Sequence, residues 1–114
     1  MKRNLTSLLT LLLLAGVGRA DTVIVTQVNL SFSPQNITVD VGDTVRWIHT
    51  GGQHDVVEGT DGTVDGDEAF FGLLNTVSTT FEVVFDPAFL AANPRAGDRY
   101  DYFCSPHFGV GMVG

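Results

Sequence analysis

The chain has 114 residues, a length typical of a single domain. Thirteen acidic residues against six basic ones give a formal charge of −7, which excludes nucleic acid and anionic lipid surfaces as favoured partners. The single cysteine, Cys104, excludes an intramolecular disulfide. It leaves an inert buried thiol, an intermolecular disulfide or a metal ligand as alternatives.

The first twenty residues have the features of an export signal. Lys2 and Arg3 precede an apolar run over residues 8–17, and Gly18 and Ala20 supply the small residues that a signal peptidase recognises. We therefore predict a signal peptide at 1–20, a mature domain at 21–114 and a periplasmic or secreted location. The apolar run is shorter than the roughly 20 residues that span a membrane. We therefore expect no membrane insertion after cleavage. An uncleaved anchor is the alternative. Cleavage changes the formal charge to −10, which suits a basic protein partner or simply solubility.

The rest of the chain alternates short apolar runs with Gly, Pro, Asn and Asp, a pattern typical of an all-β domain. Residues 37–41 alternate apolar and polar side chains as a half-buried strand does, and Gly42 begins the turn that follows. The predicted strands are 23–32, ended by Pro34, then 37–41, 44–48, the aromatic-rich 79–85 and 100–103, with a further strand starting near His54.

Two segments differ from this pattern. Residues 87–92 begin with a proline and stop before Pro94, which predicts one or two helical turns. Residues 59–72 form an acidic, glycine-rich loop whose Asp61, Asp65 and Asp67 suggest a calcium site. Gly72 stands where an EF-hand requires glutamate, so we interpret the segment as a solvated loop.

Three soft or borderline donors lie within nine residues near the C-terminus: Cys104, His107 and Met112. A thiolate, an imidazole and a thioether together suit copper that cycles between Cu(I) and Cu(II). Glycine and proline residues between them allow the backbone to curl around an ion. A fourth ligand is expected from His54. Three alternatives remain. His54 makes an ordinary hydrogen bond and binds no metal, His49 is the ligand in its place, or Met112 only fills the core.

These residues resemble the cupredoxins, most closely the plastocyanin and pseudoazurin branch. The similarity runs through residues 32–34, 37–39 and 42–47, His54, and the Cys-x-x-His-x-x-x-x-Met spacing of the C-terminal motif. The resemblance implies an eight-stranded Greek-key β-sandwich with one mononuclear type 1 copper. It also implies His54, Cys104, His107 and Met112 as ligands, with His107 partly exposed as the exit for electrons.

Four departures from the family pattern have consequences. The chain ends at Gly114, two residues after Met112, so the sandwich is expected to lack its last strand and to have an open edge. Asp55 replaces an asparagine common after the upstream histidine, and an ionised carboxylate there would lower the reduction potential. Phe103 replaces the tyrosine that plastocyanins carry before the cysteine, which puts a second electron port in doubt. His49 stands where an asparagine is frequent.

The resulting functional prediction is a soluble, monomeric one-electron carrier that docks transiently to redox proteins near His107. A copper enzyme, such as a multicopper oxidase, is not expected. Its cysteine would be flanked by histidines, whereas Phe103 and Ser105 stand here. A protein for copper storage, delivery or resistance remains the alternative.

Overall fold

The computed structural model describes residues 19–114, so almost all of the predicted signal peptide lies outside the described residues. Within that part of the chain, no helix is long and apolar enough to cross a membrane. The strands are β1 (Thr22–Val28), β2 (Ser31–Ser33), β3 (Thr44–Ile48), β4 (His54–Glu58), β5 (Phe71–Leu74), β6 (Thr80–Val84) and β7 (Tyr102–Phe103). The helices are α1 (Pro87–Ala92) and two 3-10 helices, Ala96–Asp98 and Ser105–Val110.

The strands form two sheets, which confirms the predicted all-β sandwich. In the first sheet the order is β2-β1-β3-β6, with β1 and β3 parallel and the other pairs antiparallel. The second sheet has the order β5-β4-β7, all antiparallel. The core combines side chains from both sheets, such as Val25 and Trp47 of the first and Val56, Leu74 and Tyr102 of the second.

Several predicted elements are confirmed, and the first strand is corrected. Thr44–Ile48 and Pro87–Ala92 have the predicted bounds, and Asp86 caps the helix by accepting a hydrogen bond from the Phe89 N–H at 2.8 Å. The single strand predicted over 23–32 is instead the hairpin of β1 and β2. Asn29, at φ 52°, makes the turn, a left-handed conformation that asparagine adopts more readily than most residues.

The prediction of a strand over residues 37–41 is wrong. Ile37 and Val39 do pack against the core, and Thr38 is exposed, so the alternation of burial is as expected. Among the described residues, however, no backbone group of 37–39 has a hydrogen-bond partner. A groove of about 530 Å³ separates this segment from Tyr100 and Tyr102. Without a neighbouring strand there is no ladder, and the segment stays merely extended.

The second sheet differs from expectation at both edges. Residues 59–72 were predicted as one loop, but β5 begins at Phe71. The strand predicted over 100–103 is reduced to β7, because only Tyr102 and Phe103 pair with β4. On the other side of β7, Phe103 forms a bridge with Val113, and Tyr102 and Gly114 exchange two backbone hydrogen bonds of 3.1 and 2.9 Å.

Candidate metal centre

The C-terminal loop is closed by its own backbone. After β7 the chain passes through Cys104 into the 3-10 helix Ser105–Val110, which Gly111 ends at φ 85°. The Cys104 N–H then donates to the Met112 carbonyl at 3.0 Å, and the Met112 N–H donates to the His107 carbonyl at 3.3 Å. These bonds hold the three candidate donor residues of the loop next to one another.

His54 contacts this loop, although it lies fifty residues before Cys104 in the sequence. It is the first residue of β4, so the sheet fixes its backbone. The Cys104 Sγ lies 3.6 Å from the His54 Nδ1 and 3.4 Å from the His107 Nδ1. One donor atom from each residue lies within 4.8 Å of the others. The structure therefore confirms the predicted contact between the His54 imidazole and the Cys104 thiol, which lie fifty residues apart in the sequence.

The cluster is shielded from water on all but one side. Cys104 and Met112 are completely buried, His54 is 5% exposed, and His107 is half-buried. Met112 belongs to the same buried cluster as Cys104, and the two residues are joined by a backbone hydrogen bond. The arrangement leaves one imidazole, that of His107, partly open to solvent, as the resemblance implied.

Comparison with known proteins identifies the family of this site. A sequence profile described as copper binding proteins, plastocyanin/azurin family, matches residues 20–114. The chain belongs to this family. Plastocyanin of Scenedesmus fuscus is 32% identical over 90 residues, which cover 75% of this chain and 83% of that protein. Plastocyanin of Synechococcus sp. (strain JA-2-3B'a(2-13)) is 35% identical over 88 residues, covering 75% and 61%.

A solved structure supports the same architecture. The reduced Cu(I) form at pH 4 of the P52G mutant of amicyanin matches with a TM-score of 0.58 over 82% of this chain and 77% of that one. At 22% identity this likeness shows the fold alone. Together with the family match, it establishes a cupredoxin-like fold for this chain.

The cofactor of the plastocyanin/azurin family is copper, and the donors in this chain fit it. A thiol, two imidazoles and a thioether are the ligand types that copper takes in electron-transfer sites, whereas magnesium and calcium take oxygen ligands. The donor atoms of His54, Cys104 and His107 already lie within 4.8 Å of one another. His54 and His107 would supply neutral nitrogen, Cys104 a thiolate sulfur and Met112 a weaker thioether sulfur.

Burial sets the protonation of two donors. It lowers the pKa of His54, and the neighbouring His107 lowers it further, so the imidazole keeps a free lone pair. Burial also raises the pKa of the Cys104 thiol. The Cys104 thiol would therefore lose its proton on binding copper.

His49, the competing histidine, is not part of the cluster. Its Nε2 donates to the Gly52 carbonyl at 2.7 Å, and its ring centre lies 6.4 Å from that of His54. The sequence did not single out Gly52 itself. A Cβ atom there would lie 2.9 Å from the His54 Nε2, so only glycine leaves room for the ring. The adjacent glycine pair before the histidine was the available signal.

A second group of possible ligands lies in the acidic loop. Asp65, Asp67 and Glu68 bring carboxylate oxygens within 4.8 Å of one another, and the neighbouring acids raise the pKa of Asp65 to about 6. Asp61 is not in this group; it accepts a hydrogen bond from the Thr63 N–H at 2.9 Å. Asp65 and Asp67 are exposed, in keeping with a solvated loop.

Proposed function

We propose that this plastocyanin/azurin family member is a one-electron carrier whose single type 1 copper is held by His54, Cys104, His107 and Met112. The observation that carries the proposal is the convergence of the Cys104 Sγ with the two histidine Nδ1 atoms at 3.6 and 3.4 Å. When bound, copper supplies the centre that accepts and releases one electron.

The surrounding chain suits this role because it holds the donors with little freedom. The pairing of β4 with β5 fixes His54, and backbone hydrogen bonds among Cys104, His107 and Met112 close the loop. A centre that changes oxidation state quickly must rearrange little, and a loop tied to a sheet resists rearrangement. The mixture of imidazole and sulfur donors serves both Cu(II) and Cu(I).

His107 is the proposed route for the electron. It is half-buried, and its neighbours on the surface include Pro106 and Val110, the latter 68% exposed. Small apolar contacts of this kind fit brief encounters between redox proteins, which bury less than about 1,200 Å². We propose that a monomer docks through this surface to redox partners, with no role for nucleic acid or a membrane.

Loading with copper tests the centre. Apo-protein titrated with Cu(II) should bind one ion per chain and develop an intense visible band from the thiolate bond, together with a type 1 paramagnetic-resonance spectrum. C104S should abolish the band. D61N is the control, because Asp61 lies in the exposed acidic loop outside the cluster, and it should keep the band. A folded wild-type protein that stays colourless would overturn the proposal.

Kinetics separate an electron carrier from a protein for copper storage or delivery. A carrier should exchange electrons rapidly between its oxidised and reduced copies, measured by nuclear magnetic resonance line broadening, and should release copper slowly to a chelator. The reverse pattern would favour delivery. Oxygen or nitrite consumption by the purified copper form would instead indicate an enzyme, which we do not expect from the Phe103 and Ser105 flanks.

Location follows from the proposed signal peptide at 1–20. Expression of the full chain in a bacterial host should yield a periplasmic or secreted protein, and N-terminal sequencing of it should start at Asp21. Retention of Met1 in a membrane fraction would contradict cleavage after Ala20 and favour the uncleaved anchor.

A further inference from the structure

The acidic loop contacts the C-terminal 3-10 helix through the half-buried side chain of Phe108. Gly62, at φ 75°, lies against this ring, because a Cβ atom placed at Gly62 would fall 2.4 Å from the Phe108 Cδ2. The same ring packs edge-to-face against Phe103, with ring centres 5.4 Å apart and ring planes at 70°. Phe108 therefore joins the acidic loop to strand β7.

Phe103 gives this contact a fixed base. It is completely buried, although it lies outside the core cluster shared by the two sheets. It pairs with Val57 of β4 and directly precedes Cys104. Gly59, at the start of the acidic loop, also approaches its ring, because a Cβ atom placed there would lie 3.4 Å from the Cε1. The Phe103 ring therefore offers Phe108 a rigid surface beside a candidate ligand.

His107, the residue before Phe108, has little support of its own. The 3-10 helix is kinked at His107, whose φ of −122° is not helical. Within residues 19–114, the only hydrogen-bonding partner of its ring is the Cys104 Sγ. His54, by contrast, belongs to a strand that is paired on both sides. The position of the His107 ring therefore depends on how the rest of the 3-10 helix is held.

We propose that Phe108 is a positioning residue of the copper centre, which packs against Gly62 and Phe103 and so sets the place of His107 relative to Cys104. The inference rests on the proposed function, since it assumes copper at these residues. A movement of the Phe108 backbone would move His107 directly, because one peptide bond links the two. The Gly111 N–H also donates to the Phe108 carbonyl at 2.9 Å, so the anchored residue holds the return of the loop as well.

The contact is steric, so it can be disturbed from either side. F108A removes the ring, F108L keeps an apolar side chain of similar reach, and G62A puts a methyl group into the space of the ring. G62A also strains the backbone, because Gly62 has a positive φ. G66A is its matched control: Gly66 lies in the same loop at φ 98°, and no atom lies within 4 Å of a Cβ placed there. All four variants leave the proposed ligands in place.

Copper release to a chelator and the Cu(II) spectrum test the positioning role in the copper form. Replacing residues that orient metal ligands typically weakens binding by 10–100-fold. F108A and G62A should therefore each release copper about tenfold faster than wild type and shift the visible and paramagnetic-resonance spectra. F108L should stay close to wild type, and G66A should change neither property.

Amide hydrogen exchange tests the same role without copper. The N–H groups of Gly111 and Met112 donate to the carbonyls of Phe108 and His107, so their exchange reports the opening of the loop. In the apo-protein, F108A and G62A should speed exchange at both amides by about tenfold, while G66A should not. The amides of β3 are the internal reference. An equal acceleration there would show a general loss of stability and overturn the positioning role.

The double variant F108A/G62A separates the contact from the backbone strain. Without the Phe108 ring, the methyl group at position 62 meets nothing, so the double variant should release copper no faster than F108A. Additive effects would overturn the proposed contact. Wild-type copper release and spectra in F108A would overturn the positioning role alone. A wild-type protein without the thiolate band would overturn the proposed function, and the positioning role with it.

Discussion

Gly52 shows how a single residue shapes the metal centre. It has φ 82°, a left-handed conformation that costs other residues about 1–2 kcal/mol. It also lies so close to His54 that a side chain would meet the Nε2. The neighbouring His49 fixes the Gly52 carbonyl by a hydrogen bond. The turn at Gly52 therefore determines the space available to the His54 ring.

We expect G52A to disturb the His54 ring and weaken copper binding by about tenfold, in line with other residues that orient ligands. The free energy of unfolding should fall by about 1–2 kcal/mol because of the backbone strain. Chelator competition and chemical denaturation measure the two effects. G51A is the control, since no atom lies within 4 Å of a Cβ placed there. Equal copper affinity in both variants would contradict the steric argument.

At the scale of elements, Glu58 joins the end of β4 to two other segments. It accepts hydrogen bonds from Arg95 at 3.0 and 2.8 Å and from the Ala69 N–H at 2.8 Å. The Arg95 guanidinium, aided by the Ala69 N–H, holds the pKa of Glu58 below its ordinary value of 4.5. The interaction therefore stabilises the fold fully above pH 4.5 and is lost as pH falls through the lower folded-state pKa.

E58Q should lower the free energy of unfolding of the apo-protein by about 1–2 kcal/mol at neutral pH, because it weakens a charge-assisted contact. It should also flatten the loss of stability below pH 4.5. Denaturant titrations across this pH range measure both effects. E82Q, which disrupts the exposed pair with Arg46, is the control and should cost less than about 1 kcal/mol. Unchanged acid sensitivity in E58Q would rule out this role.

β5 shows why an element was missed. Its sequence, Phe-Gly-Leu-Leu, exposes Phe71 and Leu73 and turns Gly72 and Leu74 inward. Gly72 lies against the ring of Phe81 from the other sheet, where a side chain would collide. A large apolar residue outside and a glycine inside reverse the usual pattern. The Phe81 ring fills the space beside Gly72, and this explains the reversal. The local sequence of β5 gives no sign of that ring.

At the scale of the whole molecule, charge governs encounters. The proposed mature chain carries thirteen acidic residues and three arginines, a formal charge of −10. Two copies repel each other, and added salt screens that repulsion, because the Debye length falls from about 30 Å at 0.01 M to about 8 Å at 0.15 M. Electron exchange between copies should therefore depend on salt.

We expect the self-exchange rate of the copper form to rise several-fold between these ionic strengths, measured by nuclear magnetic resonance line broadening. A variant with Asp65, Asp67 and Glu68 replaced by the corresponding amides should show a shallower dependence. Exchange with a basic redox partner should slow as salt is added. A self-exchange rate that falls with salt would contradict repulsion between copies.

The sequence by itself determined the local features of this protein: the all-β class, the bounds of β3 and α1, and the spacing of Cys104, His107 and Met112. These follow from alternation, proline and glycine positions and donor chemistry, which act over a few residues. Tertiary structure decided the rest. Within residues 19–114 it left 37–39 without a neighbouring strand, placed Gly72 under Phe81, and joined Asp55 to Ser105. Hydrogen-bond partners and packing space come from distant segments, so no local pattern could supply them.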